Sequence, residues 1–324
     1  MKISFLKRCA VAFAVLFVVL QALAQTQTQP PLASKRVLWL GDSITQAGDY
    51  VTFVEYYLEK QYPTQRFDIV SIGLASENTS CLSEKAHPFP RPCVHERLER
   101  ALSLVKPNLV VACYGMNDGI YHPQSAERMQ AFEKGIGKLI TAVHAAGAQL
   151  VLLTPPPFDR LPLKQLASKD AADFSYLTPF EGYDSVLADY AHWEMQLPKS
   201  DAMVIDLHTP LDAYLAEQRR TDAGFSFAQK DGIHPDPLGH LLMAQLVLKG
   251  LGMPVASGNL QSELEKIEAD PLYASIKRQR EALSDGWLKY VGYTRGETVK
   301  TDSIAETERN NARLQANIDA MRSR

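Results

Sequence analysis

Cysteine is scarce in this chain, four in 324 residues. No Cys pair and no His-x-x-x-His stands at metal-ligand spacing, and His87, His95, His122, His144, His192 and His208 are scattered, so a structural metal is not expected. Basic residues are in deficit, 34 Lys plus Arg against 37 Asp plus Glu, for a net charge of −3. Without a basic stripe carrying interleaved aromatics, nucleic acid is not an expected partner; without a Lys-rich amphipathic helix, neither is a membrane surface. A P-loop, a Gly-x-Gly-x-x-Gly fingerprint and a Gly-x-Ser-x-Gly elbow are also missing, which removes the usual nucleotide and elbow-serine sites. Long apolar runs are confined to the first two dozen residues.

There, Lys2, Lys7 and Arg8 precede an apolar stretch from Cys9 to Leu20, followed by Ala22-Leu23-Ala24. This succession of charge, apolar run and small residues marks residues 1–24 as a secretory signal peptide, and the stretch is too short to span a bilayer. The expectation is cleavage after Ala24 and a secreted or periplasmic product with no stable membrane insertion. Residues 25–34, Gln-Thr repeats and then Pro30-Pro31, lack periodicity and read as a disordered leader. In an oxidising compartment Cys81 and Cys93, which flank a Pro-rich segment, are expected to pair. Cys113 ends an apolar run and reads as inert packing.

From Lys35 onward, short apolar runs alternate with longer amphipathic stretches. The runs Val37 to Leu40, Phe67 to Ile72, Leu109 to Cys113, Leu150 to Leu153 and Met203 to Ile205 are five candidate strands. Helical patterns fall at about 49–61, 94–105, 124–146, 181–196, 208–220 and 237–250. Continuous rather than alternating apolar runs indicate strands covered on both faces, hence an α/β fold, a three-layer α/β/α sandwich on a five-stranded parallel sheet. Residues 35–252 suffice for that domain. The Pro-rich Thr154-Pro155-Pro156-Pro157 and the segment to Pro179 read as a long loop over the carboxyl edge. Residues 253–324 are charged and helix-prone, with a helix over about 259–285, a Tyr- and Gly-containing connector, and a last helix opened by a Ser303/Glu306 capping box.

Three loops carry the chemistry: Gly41-Asp42-Ser43, Gly115-Met116-Asn117-Asp118 and Asp231-Gly232-Ile233-His234-Pro235. Each match is short, and the weight lies in their order and in their place after strands. Ser43 follows the first strand, where open α/β sheets bind ligands, but a Ser hydroxyl needs a base to become a nucleophile. His234 supplies one, because Asp231 three residues earlier can hold the Nδ1 proton and leave Nε2 for Ser43. Asn117, just past the third strand, offers an amide donor to an oxyanion, and Gly73, after the second, a backbone N–H. Other roles compete: Ser43 as an N-cap, Asn117 as a turn residue, and His240, inside the next helix, as a structural decoy.

On these residues the chain resembles the SGNH branch of the GDSL esterase/lipase family, whose Ser, Gly, Asn and His fall on Ser43, Gly73, Asn117 and His234, with Asp231 completing the triad. The similarity runs from 36 to about 250. It departs where Ile44 stands for the family's Leu, and where Ser71 replaces the usual Asn ahead of Gly73. The resemblance implies a flavodoxin-like sandwich, no cofactor, and an oxyanion hole made by the Ser43 and Gly73 N–H groups with the Asn117 amide. The expected activity is hydrolysis of small acyl esters, acetyl foremost, on a small-molecule or polysaccharide substrate. The alternatives are a lysophospholipase or thioesterase of the same family, and a noncatalytic glycan-binding module.

Overall fold

The computed structural model describes residues 32–255 and 258–322. The signal-peptide reading of residues 1–24, and the leader up to residue 31, lie outside the described residues. Leu32 and Ala33, assigned to the leader, are buried in a turn in which the Lys35 N–H donates to the Leu32 carbonyl. Packing therefore begins ahead of the expected boundary at Lys35, because Leu32 is an apolar side chain within reach of the core.

Strands β1 (Arg36–Gly41), β2 (Asp68–Ser71), β3 (Leu109–Cys113), β4 (Gln149–Leu153) and β5 (Met203–Ile205) form one parallel sheet in the order β2-β1-β3-β4-β5. Val37, Leu38, Trp39 and Leu40 are all fully buried, as a strand covered on both faces requires. The chain leaves β1 toward β2 on one side and returns to β3 on the other. The sheet therefore has its topological switch at β1 and β3, the place where such sheets open a crevice at their carboxyl ends.

Ten helices are found among the described residues: α1 (Ser43–Ala47), α2 (Asp49–Gln61), α3 (Leu98–Val105), α4 (Ala126–Ala145), α5 (Tyr183–Glu194), α6 (His208–Gln218), α7 (Pro237–Gly250), α8 (Leu260–Glu268), α9 (Pro271–Val291) and α10 (Ala305–Arg322). Helices α7 and α9 both pack on α2, and α4 packs against β4 and α3. The result is the expected three-layer α/β/α sandwich with a C-terminal helical extension. None of the helices among the described residues is long and apolar enough to cross a membrane.

The extension differs in detail from its sequence pattern. The helix expected over 259–285 is two, because Asp270 caps a new start by accepting the Leu272 N–H with Pro271 at the first helical position. The connector is a two-stranded hairpin, β6 (Tyr293–Arg295) and β7 (Glu297–Val299). Ser303 Oγ accepts from Ala305 N–H, one residue short of the partner a capping box would use. The last helix is docked: Leu314 and Ile318 are buried, and Arg322 Nη1 meets Glu59 Oε2 at 2.8 Å.

Candidate active site

The turn after β1 is built to present a side chain. Asp42, buried, accepts the Ile44 N–H at 2.9 Å and so caps the short helix that Ser43 begins. The Ser43 backbone N–H has no acceptor among the described residues. Burial pushes the Asp42 carboxyl up to about 7, against the opposing pull of the Ile44 N–H and the nearby His234.

Beyond β2 the ladder continues, with Ile72 N–H on the Trp39 carbonyl and Leu74 N–H on the Gly41 carbonyl, which carries Gly73 alongside the Asp42-Ser43 turn. A Cβ at Gly73 would stand 2.4 Å from the Gln46 nitrogen and 2.9 Å from the Asp42 carbonyl oxygen, so only glycine lets the two backbones meet. The Gly73 N–H also has no acceptor among the described residues.

His234 arrives from the loop before α7. Its Nε2 lies 2.7 Å from Ser43 Oγ and its Nδ1 2.6 Å from Asp231 Oδ2. The other Asp231 oxygen accepts the Ile233 and His234 N–H groups at 3.0 Å each. Burial pulls the Asp231 carboxyl upward, but the His234 ring and these two N–H groups outweigh it and hold it down at about 2. The hydrogen bond to Asp231 in turn raises His234 above its ordinary value, against partial burial. The mounting is tied to the loop after β4 by the Asp159 N–H on the Gly232 carbonyl. His240 is buried in α7 with its ring stacked on Tyr50, and burial lowers its pKa to about 4.

Asn117 leaves β3 through Gly115, whose φ of +123° and contact with Pro155 favour glycine. Since Gly41 and Cys113 are register partners, Ser43 and Asn117 sit on neighbouring strand ends. The carboxylate of Asp118, fully buried, accepts the N–H groups of Thr79, Ser80 and Gly115 and the Thr79 hydroxyl at 2.7 to 2.9 Å, pinning this turn to the loop after β2. Asn117 Nδ2 donates to the Glu77 carbonyl at 3.2 Å. Its second proton has no acceptor among the described residues.

The sequence reading missed the charged groups beneath this surface. Arg97 holds Glu77 with two 2.6 Å bonds and donates to the Ile72 carbonyl, while the Tyr114 hydroxyl donates to Glu77. Arg91 holds Glu84 in the same way, also at 2.6 Å. The only forewarning was charge inside a stiff, Pro-rich loop. That loop is closed by a Cys81–Cys93 disulfide, and Cys113 is a buried free thiol. Among the described residues one trio of metal-capable side chains meets, Cys81, Cys93 and His95, and both its sulfurs are engaged in the disulfide.

The arrangement offers a serine hydroxyl on an imidazole on a carboxylate, beside two unoccupied backbone N–H groups and an amide. A family model described as GDSL-like lipase/acylhydrolase matches residues 39–242. No curated protein matches the chain. Among solved structures it is similar to a gut microbial diltiazem-metabolizing enzyme, at 20 % identity and TM-score 0.50, over 69 % of this chain and 48 % of that one; the chain thus spans about half that enzyme's length. It is also similar to a catalytic mutant of an acetylxylan esterase from Geobacillus stearothermophilus, at 18 % identity and TM-score 0.50, over 70 % of this chain and 98 % of that one. A second mutant of that organism's acetyl-xylooligosaccharide esterase gives 17 % identity and TM-score 0.52, over 71 % and 100 % of the two chains. Identities this low speak for a shared fold.

Proposed function

The chain belongs to the GDSL-like lipase/acylhydrolase family and is a carboxylic ester hydrolase, and from that premise we propose that it is exported and removes small acyl groups, acetyl foremost, from carbohydrate by way of an acyl-enzyme. The observation that carries the mechanism is the unbroken relay from Asp231 Oδ2 through both His234 nitrogens to Ser43 Oγ, with links of 2.6 and 2.7 Å. As Ser43 Oγ attacks the ester carbonyl carbon, His234 Nε2 takes the hydroxyl proton. The carbonyl oxygen becomes an oxyanion facing the N–H groups of Ser43 and Gly73 and the free Asn117 proton, donors already in place and needing no reorganisation. Collapse expels the alcohol, which takes the proton from His234. A water then gives a proton to His234 and attacks the acyl-enzyme; collapse releases the acid while His234 returns that proton to the departing Ser43 Oγ.

Acetylated carbohydrate is supported by the acetylxylan and acetyl-xylooligosaccharide esterases that share the fold over nearly their whole length. Export is supported by the charge and apolar pattern of residues 1–24. One observation favours longer acyl chains instead: Leu161 and Leu177, both on the loop after β4, are exposed at 45 % and 58 %. Acetate release from acetylated xylan and p-nitrophenyl acetate, compared with esters of increasing chain length, separates the readings. We expect short-chain preference and complete loss of turnover in Ser43→Ala. Activity confined to long-chain esters overturns the substrate, and an active Ser43→Ala overturns the mechanism.

A further inference from the structure

We propose that Arg91 is a positioning residue for ester hydrolysis: it fixes which end of the Asn117 amide faces the crevice. This rests on the oxyanion role given to Asn117 above.

An asparagine amide is nearly symmetric in shape, and its two ends differ only in donating or accepting. If the oxygen faced a developing oxyanion, a dipole meant to stabilise it would repel it instead. The side chain alone has a weak preference about its terminal torsion. Something else must choose: the Glu77 carbonyl accepts from Asn117 Nδ2 at 3.2 Å, and at the oxygen end two donors act with it. Arg91 Nη1 and the Tyr121 hydroxyl each donate to Asn117 Oδ1 at 2.9 Å. With both lone-pair directions engaged, a flipped amide would set its NH2 against a guanidinium and its oxygen against the Glu77 carbonyl, losing three hydrogen bonds in a buried site. A cation on the oxygen also polarises the amide and strengthens its N–H donors.

The surroundings hold Arg91 to this task. Its side chain is 2 % exposed, and the Glu84 partner is fully buried. Arg91 also donates to the Ser76 carbonyl, and its guanidinium lies 5.4 Å from the centre of the Tyr121 ring. Ser76, Cys81, Ile120 and Tyr121 all have positive φ, between 46° and 68°. Such backbone costs energy in non-glycine residues, an Ile above all, and persists where neighbouring structure imposes it. All four residues lie in the two loops that deliver Arg91 and Tyr121 to Asn117. An ion pair serving stability alone would not need its fourth hydrogen bond spent on a neighbouring amide.

The discriminating experiment is a double-mutant cycle with turnover and thermal midpoint measured on each variant. Asn117→Ala is expected to cost about 100-fold in kcat, as loss of one oxyanion donor does. Arg91→Met is expected to lower kcat by about ten-fold with KM little changed, since the interaction is realised in the transition state. In the Asn117→Ala background the same change should cost less than about two-fold, because a missing amide cannot be misoriented. Arg91→Lys, which keeps the charge without the fork, should recover part of the loss. If Arg91→Met does not fold, the paired change Arg91→Met and Glu84→Met, which replaces the ion pair by apolar volume, takes its place. Equal losses in both backgrounds, or no loss beside an impaired Asn117→Ala, overturn the proposal and leave the oxyanion reading standing. A fully active Asn117→Ala overturns both.

Discussion

In the proposed mechanism His234 must be neutral to accept the Ser43 proton, and its hydrogen bond to Asp231 makes the protonated ring more comfortable than it is in water. Activity is therefore lost as pH falls through a midpoint above the ordinary 6.5, and the log kcat profile should show one acid limb there. Asp231→Asn removes what raises His234, so the limb should move down toward about 6.5 while kcat at its plateau falls by up to about 10⁴-fold through loss of the correct tautomer. A limb unmoved by that substitution would argue against the pairing. The stability contributions of the two partners have opposite signs: that of raised His234 is present below about 6.5 and fades as pH climbs through its folded value. That of Asp231 is present above the ordinary 3.8 and fades as pH falls toward about 2. Ser43, Asn117, Asp231 and His234 were legible in the sequence as candidates because each stands in a short local turn where its chemistry and its spacing coincide. Arg91 and Arg97 were not, because a guanidinium acquires its meaning from partners 20 to 26 residues away. In sequence, Arg91 among prolines looks like solvated surface.

The five strands were readable to within about two residues, since burial on both faces imposes an apolar run that nothing else in the chain imitates. Helix ends and the extension were less so. The break at Asp270-Pro271 interrupts an amphipathic stretch with no change of composition, and strands β6 and β7 hold three residues each, too few for a period-two pattern. A hairpin of that size is not stable alone. It leans on the disulfide loop, with Arg295 donating to the Ala75 carbonyl and lying 5.0 Å from the centre of the Phe89 ring. The Cys81–Cys93 crosslink spans 12 residues of sequence, and the chain-entropy account gives a loop of that order about 3 kcal/mol. Cys81→Ser with Cys93→Ser should lower unfolding free energy by about that amount in urea titration, and kcat should fall more than KM rises, because the same loop holds Arg91. Unchanged kinetics would mean that the prolines alone hold the loop in shape.

At the scale of the whole molecule, the segment beyond residue 252 is not an appendage. Ile267, Leu272, Ile276, Leu283, Trp287, Val291 and Ile318 belong to the same buried cluster as the strands, although the family match ends at residue 242. Arg280 pairs with Glu55 in a buried ion pair, and its Nη1 donates to the Ile69 carbonyl at 2.7 Å, joining α9 to α2 and to β2. Removing one partner of such a pair strands the other charge, so Arg280→Met should destabilise by about 3 to 5 kcal/mol with a single cooperative transition retained. Two separate urea transitions in the parent protein would contradict that unity. The docked last helix has a bearing on synthesis. Leu32 and Ile318 belong to one buried cluster, so a nascent chain translated only as far as residue 304 lacks part of the core it must fold around. A stop codon placed ahead of α10 should therefore yield a protease substrate rather than a smaller enzyme.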